Sequence, residues 1–268
     1  MNSLWVRPSA RAVRGRALLV PSAGQFGVAG LALAASLSLS LHSASIPVPN
    51  GSFESPTPPS GFPVSIQIDD WQKPAQPGWY DPSTSGIGWD QLSGVFPNTP
   101  AGSADHIVNV DGNQAAYLFA LPEVALFQEL TATYEAGMAY ELTVGILGTG
   151  GMTEPSSFAL SLYYRDDAEQ PVSIATTPIE FSPAAFPDAN RLVDYRVNLV
   201  EVQMDDDWAG REIGIRLSST FGSGAGYWDL DQVRLVAVPE PTGLSLLALG
   251  LGGLAFKRWY ARRRNRIS

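Results

Sequence analysis

The chain has 268 residues, contains no cysteine, and carries an excess of acidic residues that is concentrated in its middle part. Between Ile46 and Val238 there are 25 acidic and 7 basic residues, a net charge of −18. A surface this acidic repels phosphate backbones and argues against nucleic-acid binding. The lack of cysteine excludes a disulfide framework. About 190 residues are enough for one hydrophobic core, so we expect a single central domain.

The first 45 residues have the pattern of a secretory signal peptide. Four arginines before residue 20 lead into the apolar run Phe26–Leu41, and the small residues Ser43, Ala44 and Ser45 follow it. This order of a basic region, an apolar region and a small-residue cleavage site predicts a signal peptide over residues 1–45. An uncleaved N-terminal anchor is the alternative. Either one predicts export across the inner membrane.

Residues 47–103 are rich in proline, glycine and aromatic residues, which is typical of long ordered loops. Trp71, Trp79, Tyr80 and Trp89 stand in this stretch among acidic and amide residues. Because the C–H face of a sugar packs on aromatic rings while its hydroxyls need polar partners, these four residues are candidates for a carbohydrate site. Packing in the core is the alternative for any one of them.

Short segments of alternating apolar and polar residues follow, separated by glycine-rich turns. In Tyr140–Ile146, for example, every second side chain is apolar, which is the period of a half-buried antiparallel strand. Regularly spaced strands of this kind predict an all-β fold, an antiparallel β-sandwich of the jelly-roll type, over residues 46–238. The predicted strands are Gln114–Leu121, Ala125–Thr133, Ala139–Leu147, Ser157–Tyr164, Val193–Val200, Glu212–Leu217 and Tyr227–Val236.

Residues that would support catalysis are sparse. Once a signal peptide containing His42 is removed, His106 is the sole imidazole, and no nucleophile-elbow, zinc-protease or phosphate-loop motif occurs. The sequence therefore predicts a non-catalytic protein with no catalytic residue. A hydrolase acting on glycans through two carboxylates stays open, because the separation of such a pair cannot be derived from sequence.

The C-terminal residues 239–268 have three parts in a fixed order. Pro239, Glu240 and Pro241 precede an uncharged apolar run over residues 242–256, and a cluster of lysine and arginine follows. The run predicts one short transmembrane helix with its basic end on the cytoplasmic side. This order resembles the PEP-CTERM sorting domain of Gram-negative bacteria. The resemblance implies recognition by an exosortase, with residues 242–256 as a transient anchor in the inner membrane.

The central residues also resemble galactose-binding-like jelly rolls, which include many carbohydrate-binding modules. The resemblance rests on three segments taken together: 49–54 (Pro-Asn-Gly-Ser-Phe-Glu), 127–130 (Phe-Gln-Glu-Leu) followed by 134–144, and 228–235 (Trp-Asp-Leu-Asp-Gln-Val-Arg-Leu). It implies a structural Ca²⁺ held by Glu54 and Asp231, with Asp229 on the same face of the strand as a further contributor. Solvated surface carboxylates are the alternative.

These patterns lead to one functional expectation with two alternatives. We expect a non-catalytic extracellular module in the cell envelope or secreted, binding polysaccharide or contributing to an extracellular matrix. The first alternative is a purely structural, calcium-stabilised surface protein, and the second is a glycan-active hydrolase.

Overall fold

The structure is a computed structural model that describes residues 43–239. Two antiparallel sheets make up almost all of its regular structure, so the prediction of an all-β antiparallel sandwich is confirmed. Most of the predicted signal peptide, and the sorting tail from Glu240 onward, lie outside the described residues.

The described residues form ten strands and two short helices. The strands are β1 (Ala44–Ile46), β2 (Ser93–Pro97), β3 (Gln114–Phe119), β4 (Ala125–Thr133), β5 (Met138–Thr149), β6 (Ser157–Arg165), β7 (Pro171–Glu180), β8 (Val193–Leu199), β9 (Glu212–Phe221) and β10 (Tyr227–Pro239). The helices are α1 (Pro82–Ser85) and a 3₁₀ turn over Trp89–Leu92.

The larger sheet has six strands in the order β2-β3-β10-β5-β8, with β1 paired to β10. The smaller sheet has the order β4-β9-β6-β7. Trp228 of β10 is fully buried, and its ring lies 5.4 Å from that of Phe158 on β6, so this side chain fills the space between the sheets. Because side chains alternate along a strand, Tyr227 and Asp229 point to the opposite, outer face of the larger sheet.

All seven predicted strands occur, and β4 has the predicted bounds. Three strands were not predicted: β1, β2 and β7. The last two are edge strands, and both contain residues that depress strand propensity, Gly94 and Pro97 in β2 and Pro171 and Pro178 in β7. Proline is tolerated on a sheet edge because its missing N–H faces away from the ladder.

The predicted loop region is anchored on the larger sheet by Lys73. Its ammonium group donates hydrogen bonds to the carbonyl oxygens of Ile66 (2.6 Å), Asp90 (2.7 Å) and Ser93 (2.6 Å). Ser65 also pairs with Val95 of β2 as an isolated bridge. One half-buried lysine thus joins these chain segments beside the outer face of the sheet.

Candidate active site

A cavity of about 930 Å³ lies on the outer face of the larger sheet. Its floor comes from β3, β5 and β10, and its walls come from the loops that precede β2 and β3 and from the segment before β8. The residues that line it are Val64, Ile66, Gly86, Ile87, Gln91, Phe96, Thr99, Asp105, Ile107, Tyr117, Phe119, Leu147, Thr149, Gly150, Ala189, Asn190, Tyr227 and Asp229.

A row of four aromatic rings crosses this cavity. Successive ring centres lie 6.5 Å apart from Phe96 to Tyr117, 6.2 Å from Tyr117 to Phe119 and 6.2 Å from Phe119 to Tyr227. The register places Tyr117 opposite Gly94, where a Cβ atom would lie only 2.8 Å from the tyrosine ring. The absence of a side chain at Gly94 therefore gives the ring room to lie across the neighbouring strand.

Asp229 stands in the floor of the cavity beside this row. It is paired with Tyr117 on one side and Leu147 on the other, and only 3% of the residue is exposed. Its Oδ1 atom has no hydrogen-bond partner within the described part of the chain. Burial raises the pKa of this carboxyl well above its usual range, because a charged carboxylate is costly to keep away from water. The site thus holds a buried carboxyl whose surroundings favour its protonated form.

The phenol of Tyr227 is also affected by its surroundings. Burial raises its pKa, and the nearby carboxyls of Asp229 and Asp105 raise it further. Burial likewise raises the pKa of Tyr117, whose hydroxyl donates to the carbonyl of Gln91 at 3.2 Å. Both rings are therefore neutral at physiological pH, and they present π surfaces and hydroxyl groups to the cavity.

Glu54 and Asp231, the predicted calcium ligands, lie near each other but outside this cavity. Asp231 is fully buried; its Oδ2 accepts the N–H of Asp111 at 2.6 Å, and its Oδ1 is unpartnered among the described residues. Burial raises the pKa of Asp231 to about 7, and Asp111 and Glu54 add to that shift through their charges. Oε1 of Glu54 accepts two backbone N–H groups, of Asn113 and Gln114, each at 2.8 Å. Across residues 43–239 no group of three or more histidine, cysteine or acidic side chains is arranged to hold a metal.

The four predicted sugar-binding aromatics form a packing cluster in which most members are buried. Trp71, Tyr80 and Trp89 are 6%, 8% and 9% exposed, whereas Trp79 is half exposed and donates to Oε1 of Glu123 at 2.9 Å. The Tyr80 and Trp89 rings lie 5.1 Å apart. The Tyr80 hydroxyl also donates at 2.8 Å to the carbonyl of Ile87, a cavity-lining residue. These aromatic side chains therefore pack against the cavity wall but do not line the cavity.

Sequence reasoning did not single out the residues that make this site. Asp229 was predicted only as a metal ligand, and none of Phe96, Tyr117, Phe119, Tyr227 and Asp105 was predicted as a site residue. One signal was present: alternation along β3 and β10 places Tyr117, Phe119, Tyr227 and Asp229 on the side opposite Trp228. The sequence does not show that loops cover this outer face of the larger sheet.

Comparison with known proteins decides between an inert β-sandwich and an enzyme. The family model of the HpiC1 cyclase matches residues 44–236, which is most of the chain. The chain belongs to the HpiC1-like cyclase family. A search of curated protein sequences finds no match.

Solved cyclases share the fold. A Stig cyclase, Fisc, from Fischerella sp. TAU was solved with (3Z)-3-(1-methyl-2-pyrrolidinylidene)-3H-indole; it is 22% identical, with a TM-score of 0.54 over 74% of this chain and 99% of that one. A cyclase from the same source, solved with 4-(1H-indol-3-yl)butan-2-one, has the same identity and TM-score over 74% and 100%. The xylan-binding CBM22-1 domain of Paenibacillus barcinonensis Xyn10C is 13% identical with a TM-score of 0.37 over 63% and 86%, a likeness too low to bear on function.

Membership of a cyclase family overturns the functional prediction. The expectation of a non-catalytic polysaccharide-binding or matrix module was wrong, and so was the expectation that the protein is not an enzyme. The physical reason is visible in the fold: three of the four aromatics expected to face a sugar are buried, and the aromatic cavity lies elsewhere.

The predicted localisation is corrected as well. Among residues 43–239 no helix has the length and apolar character needed to cross a membrane, and the family match is to cyclases. The expectation of an exported, transiently membrane-anchored protein is therefore withdrawn. The apolar run 242–256 and the sorting motif beyond Pro239 lie outside the described residues.

Proposed function

We propose that this protein catalyses the cyclisation of an apolar, unsaturated substrate, with Asp229 as the proton donor. The observation that carries the proposal is a buried carboxyl with an unpartnered oxygen in the floor of an aromatic cavity. A carboxyl whose surroundings disfavour its charged form is suited to general acid catalysis, because its proton is then available to the substrate. Membership of a cyclase family supports the same chemistry.

The reaction needs no redox partner. The Asp229 O–H proton adds to a carbon of a substrate double bond, whose π electrons form the new C–H bond and leave a cation on the neighbouring carbon. A second π system of the substrate attacks that cation and closes the ring through a C–C bond. Loss of a proton to the Asp229 carboxylate then restores both the acid and a double bond, so the product is an isomer of the substrate.

The row of rings has a defined role in this sequence. The ring quadrupole makes the faces of Tyr117, Phe119 and Tyr227 partially negative, and these faces attract a positive charge that lies over them. Such an interaction strengthens as charge develops, so it lowers the barrier more than it stabilises the bound substrate. The apolar walls also exclude water, which would otherwise trap the cation as an alcohol.

The cavity volume and lining favour a substrate built on a flat aromatic ring. The ligands of the two Fischerella cyclases both contain an indole, and a cavity of about 930 Å³ accommodates an indole with an unsaturated side chain. We therefore propose 3-alkenylindoles as the substrate class.

The test is incubation of the full chain with a panel of 3-alkenylindoles in D₂O, followed by mass spectrometry and NMR. We expect a cyclic product that is isomeric with the substrate apart from one deuterium on carbon. Asp229→Asn, which keeps the shape of the side chain but lacks the acid, should lower the rate by at least about 100-fold.

Asp205→Asn is the matched control, because Asp205 is exposed and does not line the cavity. Its rate should equal that of the unchanged protein. If Asp229→Asn cyclised the panel as fast as this control, or if the product carried no deuterium, Asp229 would not be the acid.

We also propose that Glu54 and Asp231 hold a structural Ca²⁺. Three observations support the donor chemistry: the unpartnered buried Oδ1 of Asp231, the effect of the Asp111 and Glu54 charges on Asp231, and the close fit of Glu54 against Gly112. A Cβ atom at Gly112 would lie 2.5 Å from the Glu54 carboxyl. Calcium prefers oxygen ligands and tolerates irregular sets that include backbone carbonyls.

A further inference from the structure

The cavity lining contains acidic side chains and no basic ones. Asp229 lies in the floor and Asp105 at the exposed rim, and no lysine, arginine or histidine is among the lining residues. The other polar lining groups are uncharged hydroxyls and amides. A ligand in this cavity therefore meets aromatic faces and carboxyl groups, with no group present to neutralise an anion.

Asp105 is held in place by hydrogen bonds from both sides of its own loop. The next residue, His106, hydrogen-bonds through Nδ1 to the carbonyl of Thr99 at 2.6 Å, and its N–H donates to Ser103 at 3.2 Å. The side chain of Asn190 donates to the carbonyl of Ala104. Thr99 and Asn190 both line the cavity, so the rim that carries Asp105 is fixed to the cavity walls.

The charge of Asp105 reaches into the cavity. It contributes to the raised pKa of Tyr227, after burial and Asp229, which places the carboxylate within electrostatic range of the last ring in the aromatic row. A cation over the ring of Tyr227 would therefore lie close to a carboxylate as well. This pairing of an aromatic face with an anionic group is a general way to bind organic cations.

We propose that the cavity selects substrates that carry a positively charged nitrogen, and that Asp105 is the specificity-determining counter-ion. The inference rests on the proposed function, since it assigns the charge of that substrate. An ammonium, amidinium or iminium group on the part of the substrate nearest the rim would pair with Asp105, while the apolar part packs on the rings above Asp229. The net charge of −18 between Ile46 and Val238 also favours the approach of cations.

Three indoles of nearly equal size test the charge preference. Tryptamine carries an ammonium, tryptophol replaces it with a neutral hydroxyl, and indole-3-propionate carries a carboxylate. Isothermal titration calorimetry of the full chain at low salt should give the order tryptamine, tryptophol, indole-3-propionate. We expect tryptamine to bind at least about 5-fold more tightly than tryptophol, and the difference to shrink at 0.5 M NaCl because the rim is exposed.

Asp105→Asn should remove the preference by weakening tryptamine binding about 5-fold without changing tryptophol binding. Asp105→Glu keeps the charge and should retain most of the preference. Asp205→Asn removes the same charge at an exposed position that does not line the cavity, and it should bind all three indoles as the unchanged protein does.

The outcomes separate this inference from the proposed function. Equal binding of tryptamine and tryptophol, or equal weakening of both by Asp105→Asn, would overturn the role of Asp105 and leave an indole-binding cavity intact. Failure of all three indoles to bind would overturn both the indole assignment and the charge preference. Cyclisation of neutral and cationic alkenylindoles at equal efficiency would contradict the charge preference alone.

Discussion

Asp229 combines two properties that rarely occur together in a residue kept only for stability. It is almost fully buried, and one of its oxygens has no hydrogen-bond partner in the described residues. An unsatisfied buried polar group costs about 1–3 kcal/mol of folding free energy. Groups that carry such a cost cluster at functional sites, where the unfavourable environment supplies the reactivity.

We therefore predict that Asp229→Leu stabilises the protein while abolishing cyclisation. The substitution removes the unsatisfied carboxyl and adds apolar contact beside Tyr117 and Leu147, so the free energy of unfolding should rise by about 1–3 kcal/mol. Urea denaturation of the full chain followed by circular dichroism measures the change. Asp205→Leu, at an exposed position, should stay within about 0.5 kcal/mol. A loss of stability in Asp229→Leu would show that the carboxyl is satisfied in the folded protein.

The sequence predicted the orientation of individual site residues but not their chemical surroundings. The alternation along β10 correctly placed Asp229 and Asp231 on one face, but the two carboxyls have different surroundings. Asp229 faces aromatic rings contributed by β2 and β3, whereas Asp231 meets Asp111 and Glu54 from loops. The left-handed conformation of Gln232 and the register shift between Asp231 and Arg234 separate these environments, and neither follows from the local pattern.

At the scale of elements, the cavity depends on how loops are held against the sheet. Lys73 is the central contact, because its single ammonium group joins the segment at Ile66 to Asp90 within the Trp89–Leu92 turn and to Ser93 just after it. Ile66 and Gln91 both line the cavity. The sequence identified the loops correctly but read their aromatics as a binding surface, since the partner of a loop residue cannot be derived from its neighbours.

We predict that Lys73→Met destabilises the protein by about 2–4 kcal/mol. Methionine preserves the apolar stem but leaves three carbonyl groups without their charged donor. A hydrogen bond to a charged group contributes about 1.5–3 kcal/mol. Because the three bonds share one donor, their contributions are not additive, and the expected loss is smaller than their sum. Tryptamine and tryptophol should both bind more weakly, because the cavity wall loosens. Denaturation and calorimetry measure the two effects.

Arg191→Met is the control for this substitution. Arg191 forms a half-exposed ion pair with Asp188, and pairs of that kind contribute at most about 1 kcal/mol. If Lys73→Met lowered the free energy of unfolding and ligand binding no more than Arg191→Met, the three carbonyl contacts of Lys73 would not stabilise the cavity wall.

For the whole molecule, the fold class followed from the sequence and the function did not. Period-two alternation is a local property, so it revealed seven strands and the sandwich. Function depended on which outer face becomes covered, and this is set by contacts such as Ser65 with Val95 and Gln72 with Phe127, which join distant parts of the chain. The resemblance to carbohydrate-binding modules predicted the architecture but not the chemistry, because one sandwich supports many sites.

Because the molecule is strongly acidic, a test of the calcium proposal must distinguish specific binding from the general stabilising effect of cations. With a net charge of −18 between Ile46 and Val238, any added cation reduces self-repulsion and raises the melting temperature. A specific site differs, because it distinguishes calcium from magnesium at equal ionic strength and saturates. Flexible oxygen ligand sets of mixed side chains and carbonyls favour the larger ion.

We predict that 1 mM Ca²⁺ raises the melting temperature of the full chain by several degrees over 1 mM Mg²⁺, and that a chelator reverses the gain. A ligand at about 100 times its dissociation constant adds about 2.7 kcal/mol to the free energy of unfolding. Asp231→Ala should abolish the difference between the two ions, whereas Asp205→Ala should preserve it, since both variants lose one charge and only Asp231 belongs to the proposed site. Identical melting curves in calcium, magnesium and chelator would show that Glu54 and Asp231 hold no structural cation. Their carboxyls would then serve the loop at Asp111 and Asn113 through hydrogen bonds alone.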